Sequence, residues 1–323
     1  MSLKQFARCI VGALAVTSSG LALGQAAYPS KPLVVISAFP PGTPNDFIAR
    51  LVAERFQAVG RQPLIVENRP GAGGNIGAEA VTRAAPDGYT LLATVDTVVT
   101  VNPVVYSHLT FKAGVDLQAV LYLANTAQTL VCHPSVPVKS VSEFIAYAKT
   151  HPMAYASGGV GVPGHLAAEL FLAAVGVKMT HVPYKGPAPA TQDVLAGMVP
   201  CGFLATPVVM PHVKAGRLNA LAVTAPRRSP IAPDVPTMRE AGVPEAEAAF
   251  GEMLLVPKGT PASTIAWVNE TFSAILQLPE VRERMLAADL VFQPNTPAQA
   301  AQRLQQETAK WKPMVERLGL RVD

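Results

Sequence analysis

Charge is scarce in this chain. Only 15% of its 323 residues are Asp, Glu, Lys or Arg, while 50% are hydrophobic. A chain this long and this apolar can bury a sizeable core, so disorder is excluded and one large or two medium domains are expected. The 26 basic and 22 acidic residues leave a formal charge of +4, and two of the basic residues, Lys4 and Arg8, sit in the first few residues. No basic run with interleaved aromatics occurs, which argues against nucleic acid as a partner. The six histidines (His108, His133, His151, His165, His181 and His212) are scattered. None pairs with another at i, i+4, and none clusters with acids at metal-ligand spacing, so no metal centre is expected. No G-x-S-x-G elbow occurs, which disfavours an α/β-hydrolase. The run Gly71-Ala-Gly-Gly-Asn-Ile-Gly77 lacks the dinucleotide spacing and is separated from its strand by Asn68-Arg-Pro70. It reads as a structural loop entering a helix, and no cofactor is expected.

Cysteine is nearly absent too. Cys9 precedes the first apolar run, away from any cleavage position, so a lipoprotein is not indicated. Cys132 and Cys201 remain, each inside a strand-like run. A protein this size does not need a disulfide, and two buried free thiols are favoured over a bridge. Long hydrophobic runs are missing beyond the N-terminus. There, Lys4 and Arg8 precede the apolar stretch Ile10–Leu23, and Ala22-Leu-Gly24 resembles a cleavage site. Residues 1–24 therefore read as a signal peptide cut near Gly24 to Ala27, and the mature protein as periplasmic.

What the chain has in plenty is punctuation: 30 prolines and 24 glycines. Short apolar runs alternate with periodic segments about three turns long. Strands are expected at Leu33–Ala38, Leu64–Glu67, Thr90–Thr94, Ala154–Ser157, Lys178–Pro183, Cys201–Ala205, Leu218–Thr224 and Gly251–Val256. Helices are expected at Asp46–Val59, Gly74–Arg83, Val141–Thr150, Gly164–Val175, Ala188–Ala196, Ala262–Leu276, Pro279–Ala287 and Pro297–Leu318. This βα alternation predicts an α/β fold with mainly parallel sheets.

Two strand–loop–helix passages share one design. In Phe39-Pro-Pro-Gly-Thr-Pro-Asn-Asp46, Thr43 is placed to cap a helix, Pro44 fits its first position, and Asp46 sits where a capping box wants an acid. In Tyr155-Ala-Ser-Gly-Gly-Val-Gly-Val-Pro-Gly-His165, a loop of small residues again leads to a proline-opened helix. Ligands in open α/β sheets collect at the carboxyl ends of strands, against helix N-termini that favour anions. Two such loops in two similar lobes would close on an anionic group from both sides. The glycines around Gly158 and Gly161 let a ligand approach the main chain. His165, in the first turn of the second helix, could donate to a carboxylate. Ser157 is a ligand-binding hydroxyl rather than a nucleophile, since no base can be assigned to it. Asp96 and Thr97 follow a strand and should reach the same edge. An Asp96 facing the cleft would favour a ligand that carries an amine.

The chain resembles the periplasmic solute-binding proteins of tripartite tricarboxylate transporters, the Bug (Bordetella uptake gene) or TctC family. The resemblance runs from Tyr28-Pro-Ser-Lys-Pro32 to the C-terminus. It is carried by Phe39-Pro-Pro-Gly42 with Asp46, Val66-Glu-Asn-Arg-Pro-Gly-Ala-Gly-Gly-Asn-Ile-Gly77, Ala85-Pro-Asp-Gly-Tyr-Thr90, Asn102-Pro103, His133-Pro-Ser-Val136, Tyr155-Ala-Ser157, His181-Val-Pro-Tyr-Lys-Gly186, Lys214-Ala-Gly216 and Ala220-Leu-Ala-Val-Thr224. It implies a two-lobed, type II Venus-flytrap fold without a prosthetic group, closing on a small carboxylate. The lobes would be 25–126 with 248–323, and 127–247, with hinges near Leu123–Leu130 and Ala249–Leu254. It points to Phe39, Gly42, Thr43, Asn45 and Asp46 in one lobe, and to Ser157, Gly158, Val160, Gly161 and His165 in the other. Tyr184, Gly186 and Ala205 should lie nearby. The implied partners are the membrane components of a tripartite transporter, and the implied state is a monomer without enzymatic activity. A sensory partner and an exported enzyme using Ser157, His165 or Asp96 are the rival readings. The sequence departs from the family in three places. Thr43-Pro44 replace a usual second glycine, Asp96 replaces a small or hydroxyl residue, and Ala205 replaces a polar one.

Overall fold

The computed structural model of the protein describes residues 28–60 and 62–322. The expected signal peptide lies outside them. Among the described residues, ten strands form two five-stranded sheets. The first sheet holds β1 (Leu33–Ser37), β2 (Leu64–Asn68), β3 (Thr90–Val95), β4 (Leu117–Thr126) and, from far along the chain, β10 (Phe250–Pro257), in the order β2-β1-β3-β10-β4. The second holds β5 (Gln128–Cys132), β6 (Ala154–Ser157), β7 (Thr180–Pro183), β8 (Cys201–Ala205) and β9 (Asn219–Val223), in the order β7-β6-β8-β5-β9. The two orders are equivalent. In each sheet three strands pair in parallel, and one reversed strand, β10 or β5, joins them to the fifth. With helices packed on both sheets, this is a two-lobed α/β fold.

The local reasons are ordinary. Strands covered on both faces read as continuous apolar runs, and Leu33, Val35, Leu91 and Leu92 are wholly buried. The helix Pro44–Gly60 buries Ile48, Leu51, Val52 and Phe56, one face of a 3.6-residue period. Each such side chain contributes about 1.5–3 kcal/mol on burial. Three helices, Thr97–Thr100, Asn102–Val105 and Thr206–Lys214, and strand β4 were not expected from the sequence. The first two helices are single turns, too short for a period to register. The third contains Pro207 and Pro211, which mask it as loop. In β4 the burial does not alternate cleanly, so the period-2 signal is weak.

Ala127 alone separates β4 from β5, so the chain passes between lobes in one residue. The return passage runs beside it. Gln128 N–H donates to Thr224 Oγ1 at 3.0 Å, Thr224 N–H donates to the Gln128 carbonyl at 2.8 Å, and Ala248 N–H donates to the Thr224 carbonyl at 2.8 Å.

The two cysteines correct an expectation. Cys132 and Cys201 are register partners on neighbouring strands β5 and β8, with Cα atoms 4.0 Å apart, and they form a disulfide. They are 69 residues apart in sequence. Cross-strand pairing brings the side chains together, and nothing in either run announces it.

Candidate functional site

A cavity of about 60 Å³ lies between the two sheets. Pro44, Pro163 and Pro187, each the first residue of a helix, line it directly. A fourth helix starts at Thr206, one residue after the lining residue Ala205. All four helices follow a strand, and all carry proline in the first two positions, where the missing N–H costs nothing. The other N–H groups of a first turn have no partner inside the helix and carry the positive end of its dipole. The walls thus converge donors from both lobes. No Lys, Arg or His is among the lining residues. Such a cavity suits one small anionic group, bound by main-chain dipoles.

Each loop is fixed by the third residue of its helix. Asp46 Oδ2 accepts from Gly42 N–H at 2.9 Å, and His165 Nδ1 accepts from Gly161 N–H at 3.1 Å. Both bonds reach back four residues. Asp46 is further held by Arg50 at 3.0 Å and by Asn68 Nδ2 at 2.7 Å. Burial would raise its pKa, but the hydrogen bonds from Arg50, Gly42 and Asn68 outweigh it and hold the carboxylate below its ordinary range. Thr43 differs from its expected capping role: its hydroxyl donates to the Pro40 carbonyl at 2.8 Å. Asn45 Nδ2 donates to the Ala93 carbonyl at 3.0 Å, tying the helix start to β3.

Behind the second loop lies a stack of rings. His165 and His181 stack at 4.1 Å, and His181 stacks on Tyr155 at 4.9 Å. Burial lowers the pKa of His165 to about 3, with His181 adding to it, and lowers that of His181 to about 4. Both are neutral. Because His165 Nδ1 is an acceptor, its proton sits on Nε2, which faces Glu169 Oε1 at 3.9 Å. Ser157 Oγ lies 2.7 Å from His181 Nε2, a distance that would suit a nucleophile and its base. The wiring is unsuited to that role. The hydroxyl also reaches the Gly159 carbonyl at 2.9 Å, and while it donates there His181 must be the donor in the shared contact, with no lone pair to offer. Ser157 is also wholly buried.

Of the residues singled out in the sequence, Phe39, Thr43, Asn45, Gly158 and Ala205 line the cavity. Val160, Tyr184 and Gly186 line a wider outer cleft of about 750 Å³, which Phe39 and Gly158 share. There the lobes touch. Tyr106 Oη donates to the Val160 carbonyl at 3.3 Å, and a side chain on Gly186 would meet Pro40 at 2.9 Å. Gly42, Asp46, Ser157, Gly161 and His165 line neither space and instead hold the loops. Gly161 faces Asn102 and Tyr106 of the opposite lobe.

Asp96 does not face the cleft as expected. It is wholly buried, its Oδ2 accepts from Gly251 N–H at 2.7 Å, and its own N–H donates back to the Gly251 carbonyl at 2.7 Å. It extends the β3–β10 ladder. Thr97 beside it is wholly buried too. The carboxyl group that does border the cavity is Glu252, with Val95, Thr126 and Gln128 around it. Sequence reasoning missed all four. For Glu252 and Val95, in or one residue past an expected strand, the pattern does not tell which side chain ends at the cavity, while Thr126 and Gln128 lie in the Leu123–Leu130 stretch, where only a hinge is expected. Burial raises the pKa of Glu252 to about 8, with Asp96 adding to it, and burial likewise raises Asp96 to about 8.

Residues 48–320 match the family described as tripartite tricarboxylate transporter family receptor. The chain is 34% identical to protein BugT of Bordetella pertussis (strain Tohama I) over 95% of its own length and 96% of that protein. Among solved structures it resembles Rpa4515 of R. palustris with adipate, at 31% identity and a TM-score of 0.86, covering 90% of this chain and 98% of that one. It also resembles MatC from Rhodopseudomonas palustris with bound malate, at 30% identity and a TM-score of 0.84, covering 89% of this chain and 100% of that one.

Proposed function

Since the chain belongs to the tripartite tricarboxylate transporter receptor family, whose members are periplasmic solute-binding proteins, we propose that it captures a small carboxylate by closure of its lobes and delivers it to the membrane components of such a transporter. The observation that carries this reading is the cavity where helices from both lobes begin, without a cationic side chain among its lining residues. A buried carboxylate must exchange its water for other donors, and free helix N–H groups supply them. The relatives solved with adipate and malate support the ligand class. The lobes in this reading are 25–126 with 248–323, and 127–247, and the protein acts in the periplasm as a monomer. No helix among the described residues is long and apolar enough to cross a membrane. Binding does the work, and no covalent chemistry is assigned to Ser157 or His181. Ligand free energy shifts the population toward the shut state, because the second lobe adds its contacts only there.

Thermal-shift and calorimetric screening against small carboxylates, adipate and malate included, tests the proposal. A ligand of the native state at about 100 times its Kd stabilises by about 2.7 kcal/mol, readily seen as a rise in Tm. Small-angle scattering should show contraction with the same ligand. Gly158→Val should weaken binding without unfolding the chain, since a Cβ there would lie 3.2 Å from Gly186 and Pro187. Failure of every carboxylate to bind would remove the reading.

A further inference from the structure

Main-chain donors explain how an anion is held but leave Glu252 unexplained. It stands on β10, paired with Val95 and Ala124, and is 2% exposed. Its side chain borders the cavity, and its Oε2 has no hydrogen-bond partner among the described residues. Thr126 Oγ1, also on the cavity wall, has none among them either. An ionised carboxylate in this position is doubly unfavourable. It is cut off from water, and it borders the space that the ligand's own negative charge must enter, with no cationic side chain among the lining residues. A protonated carboxyl group reverses the sense of the contact, because its O–H donates to an incoming carboxylate.

The neighbours of Glu252 favour the proton. Asp96, just past the end of β3, is the charge that acts on it, and it acts against ionisation. Tyr122 stands on β4 with Arg303 over its ring. Glu307 and Lys310, on the C-terminal helix, act on Asp96 rather than on Glu252. Asp46 and Glu79 belong to helices that also touch β10, and they do not act on Glu252. Of the two buried acids, Asp96 is the better placed to ionise, since the N–H groups of Gly251 and Thr97 and the Lys310 ammonium favour its anion. Nothing of the kind reaches Glu252, so it is the later to give up its proton. Burial, with Asp96 adding to it, puts its pKa at about 8. We infer that capture is linked to a proton: Glu252 meets the carboxylate in its neutral form, donates its O–H to it, and lets it go on ionising. This rests on the carboxylate reading above and concerns the state of the wall, not the identity of the ligand. The sign follows from linkage. Binding favours the protonated form, so affinity is constant well below the pKa of the free site. It falls as pH rises through that value, and there the ligand brings a proton in with it.

Calorimetry between about pH 7 and 9, in buffers of different ionisation enthalpy, tests the inference with adipate, malate, propanoate and butanoate as probes. These acids are fully ionised throughout the range, so a change in affinity belongs to the protein. Circular dichroism at both ends of the range checks that the fold is intact. A probe that binds should do so about tenfold more weakly at the alkaline end, with uptake there of up to about one proton per ligand. Glu252→Leu, which offers no donor, should weaken binding at neutral pH by about tenfold. Glu252→Gln, whose amide donates without titrating, should recover part of that loss and flatten the pH profile. A wild-type Kd that stays constant across the range, without proton uptake, would overturn the inference and leave the carboxylate reading standing. A Glu252→Gln variant that keeps the wild-type pH dependence would place the proton elsewhere and overturn it too. If no probe binds at any pH, both readings fall. Should neither variant fold, the wild-type profile and proton count decide alone.

Discussion

The two loops that meet at the cavity are built to one plan with different chemistry. In both, the third helical residue accepts the N–H of the residue four positions earlier. In the first lobe that acceptor is an ionised aspartate held by an arginine and an asparagine. In the second it is a neutral imidazole clasped in a ring stack. The comparison teaches that the geometry is what the fold requires. A fixed loop leaves the first-turn N–H groups aimed and free, and any acceptor of the right reach can fix it. The second lobe has one further device without a counterpart among the described residues of the first: the Cys132–Cys201 bridge inside its sheet.

Removing that bridge should have the largest effect. Closing a loop of 69 residues is worth about 4 kcal/mol in the chain-entropy account. The Cys132→Ala/Cys201→Ala variant should unfold its second lobe at clearly lower urea than the first, seen as two transitions by lobe-specific hydrogen exchange. Equal loss in both lobes would break the contrast. Asp46→Ala comes next, at about 2 kcal/mol, because Gly42 and Asn68 lose a charged acceptor while Arg50 is half-exposed and recovers water. His165→Ala should cost somewhat less, about 1–2 kcal/mol, by leaving Gly161 N–H unpaired. Equilibrium denaturation ranks the two, and the opposite order would show that the ring stack, not the charge, is the stronger clamp.

Acid separates the loops further. His165 and His181 have folded pKa values of about 3 and 4, below the ordinary 6.5. Their contribution is present above pH 6.5 and is lost as pH falls toward those values. Asp46 has a pKa lowered from 3.8, so its contribution persists until the pH falls below that value. Between pH 6.5 and 4, only the second loop should weaken. Glu252 and Asp96 act in the opposite sense there, since their raised pKa values favour folding at low pH and lose it as pH rises toward 8. The clean readout is the Tm difference between wild type and His165→Gln, which should move in the variant's favour as pH is lowered from 7 to 4.5. The smallest effect belongs to Tyr106→Phe. Loss of its bond to Val160 should cost under about 1 kcal/mol and raise the ligand off-rate a few-fold, measured by stopped flow.

Much of this fold was legible in the sequence because its elements are short, apolar and bounded by proline and glycine. The loops Phe39–Asp46 and Tyr155–His165 could be placed at strand ends because proline at a helix start is a local signal. Asp96 and Glu252 show where that legibility ends. Both lie at one sheet edge, and which carboxyl group meets the cavity depends on the register of β10 against β3. Register is set by a strand that returns from 155 residues away to bond Asp96 through Gly251. The same distance problem hid the disulfide. Periodicity reports which face of an element is buried, but not which neighbour it will find there.

The proposed grip by peptide groups is largely beyond the reach of point mutation, because every amino acid except proline carries the same N–H. Heritable change of cargo must then act through the few side chains that border the cavity, such as Thr126, Gln128 and Glu252. One exchange there could redirect the receptor to a new nutrient while the machinery of capture stays intact, an economical starting point for duplicated genes to diverge.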